Sequence, residues 1–227
     1  MSGDRSMRAA AYIDGFNLYY GLRALRDRAP QFGENRWLDL RRLVQELAPR
    51  AQLDRVRYFT ARVEARAGDP GLPQRQDAYL RALQTLPGLT IHFGTFLTHE
   101  VTLPLAEPAG SQRWAKVLRT EEKGSDVNLA TFLLLDAFFD RYDLAIVVSN
   151  DSDLAEPVRA VRDELKRRVL VVSPQERVTA RLQRAASDSR VLRPKVVARC
   201  QLPIPVIDAQ GRHIRPPATW GPFGSTT

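Results

Sequence analysis

The sequence predicts an α/β fold, a doubly wound and mainly parallel sheet with helices on both faces. Short apolar runs that suit buried strands alternate along the chain with amphipathic segments of helical period. The 227 residues fit one generous α/β domain with an extension, and an apolar fraction of 44% is enough for a core. Acidic residues follow several of the apolar runs, where parallel strands end. Together these observations predict a PIN-like α/β architecture with a polar site at one edge of the sheet.

The first half of the chain alternates predicted strands and helices. The apolar run at 9–14 predicts the first strand, and Gly15 permits a tight turn into a helix over 16–28. The elements expected next are a helix over 37–47, a strand over 56–63, a helix over 74–86 that stops at Pro87, and a strand over 89–97.

The second half continues the alternation after a less regular segment. Residues 101–105 and 114–120 are expected to pair as a hairpin around the turn at 108–110. The elements expected after it are a helix from Ser125 to about Asp140, a strand over 143–148, a helix over 152–166, a strand over 169–172, a helix over 175–184 and a short strand over 189–192. We therefore predict a domain over residues 1–192.

A basic, proline-rich C-terminal extension is predicted over residues 193–227. It contains six prolines, which exclude a long helix. Residues 177–227 hold nine basic and two acidic residues, so they carry most of the net charge of +8. This asymmetry indicates a polyanionic partner, most simply a nucleic acid. An arginine-rich, solvated tail without such a partner is the alternative.

Other features exclude several classes of protein. No apolar run approaches the roughly 20 residues that a membrane span needs, and the first residues lack a signal-peptide core. Cys200 has no second cysteine to pair with, so we expect a cytoplasmic location. The three histidines lack zinc spacing, and neither glycine-rich phosphate-binding motif is present.

Four aspartates are the candidate site. Asp14, Asp151 and Asp153 follow apolar strands, and Asp126 opens a helix. Strand ends meet at one edge of a parallel sheet, so these carboxylates are expected to lie together, and their repulsion calls for a cation. Oxygen-only ligands suit Mg²⁺ or Mn²⁺.

Each aspartate also has an ordinary structural interpretation. Asp14 is a plausible helix N-cap, and Asp126 in a first helical turn gains roughly 0.3–1 kcal/mol from the helix dipole. A cap explains either Asp151 or Asp153 but leaves the other unexplained. Acids on helix faces, Asp136 among them, are expected to be solvated. Four polar neighbours could support the site, namely Asn17, Ser149, Asn150 and Ser152.

Three motifs in this order resemble the NYN domain family, in its LabA-like branch of the PIN-like nuclease superfamily. They are Tyr12-Ile-Asp-Gly-Phe-Asn17, Lys123-Gly-Ser-Asp-Val-Asn-Leu-Ala130 and Val148-Ser-Asn-Asp-Ser-Asp-Leu154. Each is weak alone, but together they are specific, and the resemblance spans about residues 9–192. It implies a ribonuclease dependent on Mg²⁺ or Mn²⁺, with Asp14, Asp126, Asp151 and Asp153 as metal-binding and catalytic acids.

The expected substrate is RNA, preferably single-stranded, because a cut phosphate must enter a cleft. Lys123 either meets the scissile phosphate as a point charge or is simply exposed. Two alternatives stay open: a non-catalytic RNA-binding or regulatory module with the same fold, and a phosphatase for small phosphates. No membrane partner is expected, and a homo-oligomer is possible.

Overall fold

A computed structural model of the chain describes residues 6–32, 35–65, 68–110 and 112–220. A seven-stranded sheet forms its centre. Its strands are β1 (Arg8–Asp14), β2 (Gln52–Ala61), β3 (Leu89–Ala109), β4 (Gln112–Lys123), β5 (Leu144–Val148), β6 (Arg168–Ser173) and β7 (Asp188–Val191). The helices are α1 (Gly15–Arg28), α2 (Leu40–Leu47), α3 (Leu72–Gln84), α4 (Ser125–Phe138), α5 (Ala155–Asp163), α6 (Ala180–Ala185) and α7 (Pro194–Arg199).

The strand order β4-β3-β2-β1-β5-β6-β7 places β1 at the centre of the sheet. From β1 the chain first builds outward through β2 and β3, then returns to add β5, β6 and β7 on the other side. All neighbouring strands are parallel except β3 and β4. The direction of building therefore switches between β1 and β5, and ligands of open α/β sheets bind outside the carboxyl ends of strands at such a point.

Alternating residues of the central strands feed two hydrophobic cores. Ala11 and Ile13 of β1 face one core with side chains from α1, α2 and α3. Ala10 and Tyr12 of the same strand face the other core with side chains from α4, α5 and α6. Helices thus cover both faces of the sheet, which confirms the predicted α/β class.

The β3–β4 hairpin carries the chain back to the carboxyl edge of the sheet. Its antiparallel register runs from Thr95 opposite Lys123 to Ala109 opposite Gln112. A Cβ atom added to Gly94 would lie 2.5 Å from the carbonyl oxygen of Lys123, so only glycine lets the start of α4 approach this closely. Gly124, with a φ of 98°, then turns the backbone into α4.

The segment after β7 packs on the first core. Trp220 is buried, and its ring centroid lies 5.8 Å from that of Tyr79 and 6.4 Å from that of Trp37. Two short strands, β8 (Val206–Ile207) and β9 (His213–Ile214), pair beside it. The division into residues 1–192 and 193–227 stays a prediction, and residues 1–5 and 221–227 of those ranges lie outside the described residues.

Several predicted elements differ from those observed. The helix expected over 175–184 begins only at Ala180, because Ser173 and Asn150 hold the backbone of residues 175–179 in a loop. The helix expected from residue 37 begins at Leu40, capped by Asp39. The strand expected over 89–97 and the first arm of the hairpin form one continuous strand, β3.

Asp136 is buried, so the expectation that it is solvated is wrong. Its carboxylate accepts hydrogen bonds from Tyr12 Oη at 2.8 Å, Arg57 Nε at 2.8 Å and Arg141 Nη1 at 2.9 Å. Burial raises the pKa of Asp136, but these hydrogen bonds outweigh it and leave that pKa below its ordinary value. The network joins α4 to β1 and β2. Across the described ranges, none of the helices has the length and apolar character needed to cross a membrane.

Candidate active site

Asp14 lies at the carboxyl end of β1 and caps α1. Its carboxylate accepts hydrogen bonds from the backbone N–H of Asn17 and from Ser149 Oγ, both at 2.9 Å. Only 6% of the residue is exposed. Burial raises the pKa of Asp14, and the charge of Asp151 adds to the rise, against the lowering effect of the hydrogen bonds. The cap interpretation is thus correct in geometry, but the second oxygen points across to the β5 loop.

The loop after β5 is tied to the start of α1. Ser149 is fully buried, and its hydroxyl donates to Asp14 while accepting from the backbone N–H of Asp151 at 3.1 Å. The backbone N–H of Asn150 donates to Asn17 Oδ1 at 3.0 Å. These bonds fix the two loops that flank the switch point relative to each other.

The Asn150 side chain anchors the same loop to the segment after β6. Its Nδ2 donates to Gln175 Oε1 at 3.0 Å, and its Oδ1 accepts from the backbone N–H of Thr179 at 2.8 Å. The sequence analysis proposed Asn150 as a supporting residue and missed Gln175 and Thr179. No local pattern marks those two positions, because they act through contacts more than twenty residues away along the chain.

Asp151 and Asp153 lie on a short 3₁₀ turn over Ser152–Leu154. Asp151 Oδ1 caps this turn by accepting from the backbone N–H of Asp153 at 2.9 Å. Asp151 and Ser152 are half-buried, whereas Asp153 is exposed. The turn therefore presents two carboxylates beside Asp14, one at the loop and one toward solvent.

Asp126, in the first turn of α4, completes the group of acids. Burial is the largest cause that raises its pKa to about 6, followed by the charges of Asp14, Asp151, Glu122 and Asp153. The four predicted aspartates are therefore close enough to repel one another. Asp126 gains nothing here from its position at a helix N-terminus that would cancel this repulsion.

Glu122 is a fifth acid that the sequence analysis missed. It accepts hydrogen bonds from the backbone N–H of Ser125 at 3.1 Å and from Ser125 Oγ at 2.7 Å, which caps α4. The signal was present, since an acid three residues before the first helical residue is typical of a cap. Its charge adds to the negative potential at Asp126.

The donor chemistry of this group suits a hard divalent cation. Only carboxylate and neighbouring amide or hydroxyl oxygens face one another, and the strongest charges acting on Asp126 are all negative. Within the described ranges, however, no three His, Cys, Asp or Glu side chains lie together at a spacing that would hold a metal ion. The acids fit a cation by charge and ligand type, and a bound ion would need to draw them closer.

Lys123 points to a different partner from the one considered in the sequence analysis. Its Nζ lies 2.8 Å from Glu121 Oε2, and slightly more than half of its side chain is exposed. The ammonium group therefore sits at the end of the hairpin in a surface ion pair. Contact with a substrate phosphate stays a prediction for this residue.

A cavity of about 530 Å³ opens beside the acids. Gly15, which follows Asp14, and Glu122 both line it. Its aromatic side chains come from α1, β2, α3, β3 and the C-terminal segment, namely Phe16, Tyr19, Tyr20, Tyr58, Tyr79, Phe96 and Trp220. Burial raises the pKa of the Tyr58 hydroxyl, and the charge of Asp14 raises it further, so this ring borders the acidic group.

Comparisons with known proteins agree with the fold. Residues 8–193 match the family described as the NYN domain. The chain is 29% identical to 6-hydroxy-3-succinoylpyridine 3-monooxygenase HspA from Pseudomonas putida, in an alignment covering 95% of this chain and 76% of that protein. A crystal structure of a Vibrio parahaemolyticus protein of unknown function superposes with a TM-score of 0.53 at 17% identity, over 85% of this chain and 97% of that one. That structural likeness supports the fold alone.

Proposed function

Because the chain belongs to the NYN domain family, and so to the PIN-like nuclease superfamily, we propose that it is a metal-dependent ribonuclease. The proposed reaction is hydrolysis of a phosphodiester bond in single-stranded RNA. The observation that carries the proposal is the set of mutually repelling aspartates at the switch point, which raises the pKa of Asp126 to about 6. We also propose the LabA-like branch, on the three motifs, and a cytoplasmic location.

Asp14, Asp126, Asp151 and Asp153 would hold the Mg²⁺ or Mn²⁺ ion, directly or through water. When bound, such an ion lowers the pKa of a coordinated water and polarises the phosphorus–oxygen bond. The chain's own contribution is orientation. Ser149 fixes one carboxylate oxygen of Asp14.

Asn17 and Asn150 hold the two acidic loops in register through the bond between Asn17 Oδ1 and the Asn150 backbone N–H. A displacement of about 1 Å at such a site is enough to reduce the rate markedly. Glu122 adds negative charge near Asp126, so it strengthens the attraction for a cation. Basic residues of the surrounding surface would neutralise the RNA backbone.

The test is cleavage of end-labelled single-stranded RNA in the presence of Mn²⁺ or Mg²⁺. Wild-type protein should cleave, and Asp14→Asn should lose at least a hundredfold in rate, because it removes a ligand charge at nearly constant side-chain size. Asp163→Asn, an exposed aspartate on α5 that pairs with Arg162, is the matched control and should cleave like the wild type. Equal cleavage by wild type and Asp14→Asn, in preparations free of other nucleases, would remove the proposal.

A second candidate function comes from the name of the Pseudomonas relative, hydroxylation of an aromatic ring. The observation in its favour is the cavity lined by aromatic side chains beside the acids. It predicts conversion of a hydroxypyridine substrate when an electron donor and oxygen are supplied, and no dependence of RNA cleavage on Asp14. The non-catalytic binding module and the small-phosphate phosphatase are distinguished by the same cleavage assay and by a chromogenic phosphate.

A further inference from the structure

We propose that the aromatic cavity is a nucleobase subsite, which takes the base next to the phosphate held at the acidic group. This inference rests on the proposed ribonuclease function and names how that site would recognise RNA. A base is planar, apolar on its faces and polar at its edge, and each of these properties has a counterpart in the cavity.

The size and composition of the cavity fit a nucleoside. Its volume of about 530 Å³ lies within the range of roughly 300–1,000 Å³ that is typical of small-molecule sites. Its wall is mainly aromatic, with the Thr60 and Thr120 hydroxyls as polar groups. A pocket with apolar walls and few polar groups orients a planar ligand by stacking and fixes its edge by hydrogen bonds.

The aromatic rings are arranged so that faces stay open for stacking. Phe16 and Phe96 meet edge to face, with centroids 5.6 Å apart, and Tyr19 and Tyr20 do the same at 5.4 Å. An edge-to-face pair leaves ring faces uncovered, unlike a stacked pair. Tyr20 is 57% exposed, which is unusual for a large aromatic residue without a partner molecule. Such platforms accept any base, since every base has a π face.

Positive charge at the cavity suits the backbone of a bound strand. Arg23 and Arg36 line the cavity, and the Arg23 guanidinium lies 5.9 Å from the centre of the Tyr19 ring. Arg23 is exposed and forms no ion pair with any residue that the structure describes. A cation beside an exposed aromatic ring is the combination found in grooves that bind single strands.

The position of the cavity connects it to the acids. Gly15 lines the cavity and is joined directly to Asp14, while Glu122 lines it and acts on the charge of Asp126. A base in the cavity would therefore place its own phosphate at or near the carboxylates. This adjacency favours a nucleotide of the substrate over an unrelated small molecule.

The C-terminal segment completes the cavity. Trp220 forms part of its wall, and the Arg36 guanidinium stacks 5.1 Å from the centre of the Trp220 ring. Trp220 is held by Trp37 and Tyr79, so its position is set by the first core. Residues 200–220 thereby acquire a role in recognition that their composition alone did not indicate.

The test measures binding of fluorescently labelled single-stranded oligoadenylate in EDTA, so that no cleavage occurs. Tyr20→Ala should weaken binding by about 5- to 150-fold, the range measured for loss of one stacking residue, with little change in salt dependence. Arg23→Gln should instead reduce the slope of log affinity against log salt by about 0.7. In cleavage assays Tyr20→Ala should raise KM more than it lowers kcat.

Phe138→Ala is the matched control, because Phe138 is 70% exposed at the far end of α4, about 20 Å along the helix from Ser125. Unchanged RNA affinity in both Tyr20→Ala and Arg23→Gln, with folding verified by circular dichroism, would overturn the inference. An equal loss in Phe138→Ala, or wild-type binding of a hydroxypyridine without binding of RNA, would overturn it too.

The two proposals fail in different ways. If wild-type protein cleaves RNA and the cavity variants behave like the wild type, the subsite is wrong and the ribonuclease stands. If no cleavage is detected but Tyr20→Ala still loses affinity for RNA, the subsite stands in a binding module and the ribonuclease is wrong.

Discussion

Replacing Asp126 with asparagine should stabilise the metal-free protein near neutral pH. The pKa of Asp126 rises from 3.8 to about 6 in the folded state, first through burial and then through neighbouring acids. The folded protein therefore binds more protons than the unfolded chain between about pH 4 and 6. Stability must fall as pH rises through that window and stay reduced above it.

The size of the effect follows from the shift. About two pKa units correspond to about 3 kcal/mol at 1.36 kcal/mol per unit. Because Asp126 is only half-buried, solvent screening reduces this to about 1–2 kcal/mol. Asparagine keeps the size of the side chain and removes the charge, so the gain should appear above pH 6 and vanish below pH 4. For a chain of this length it equals an increase in Tm of about 2–8 °C.

Thermal unfolding followed by circular dichroism, from pH 4 to pH 8 with EDTA, measures this gain. The control is Asp163→Asn, where Arg162 lowers the pKa of the carboxyl, so removal of the charge should bring no stabilisation. Adding Mn²⁺ should raise the Tm of the wild type more than that of Asp126→Asn. A variant that is no more stable than the wild type at pH 8 would refute the reasoning that Asp126 is held against electrostatic repulsion.

Three further variants test the support of the site. Ser149→Ala should lower the cleavage rate about 10- to 100-fold at saturating Mn²⁺, measured as initial rates, because the oxygen of Asp14 loses its donor. Asp136→Asn should lower the free energy of unfolding in urea by about 3 kcal/mol, because the buried Arg57 pair is broken. Gly94→Ala should cost about 1–3 kcal/mol in the same assay and lower cleavage, because the start of α4 must shift.

Distinct results would contradict each of these expectations. A Ser149→Ala protein with wild-type rates would show that Asp14 needs no orientation. Unchanged stability of Asp136→Asn would mean that the buried network adds nothing to folding. A Gly94→Ala protein that folds and cleaves normally would show that the close approach of α4 is not needed to position Asp126.

Residues whose contacts are local were predicted well from the sequence. The apolar runs of β1 and β5 have five or more buried positions each and sit at the centre of the sheet, so their pattern is unambiguous. Both run directly into the acidic turns, which is why Asp14 and Asp151 were placed at one edge. The class of fold and the neighbourhood of the acids follow from these two strands.

Residues that depend on distant partners were not predicted. Asp136 lies on a helix whose sequence suggests solvation, but Arg57, 79 residues earlier, neutralises it in the core. Pro104 within β3 suggested a break, yet it sits opposite Trp114 in a hairpin that projects from the sheet. Trp220 joins the cavity through contacts with Trp37 and Tyr79 that no local pattern encodes.

Anomalous diffraction from crystals soaked in Mn²⁺ would test the proposed cation site most directly. We expect one or two anomalous peaks within coordination distance of Asp14, Asp126 and Asp151, with these carboxylates drawn closer together than in the metal-free protein. Crystals that take up Mn²⁺ elsewhere, while the four aspartates stay apart and without density between them, would contradict a metal-dependent reaction at this edge of the sheet.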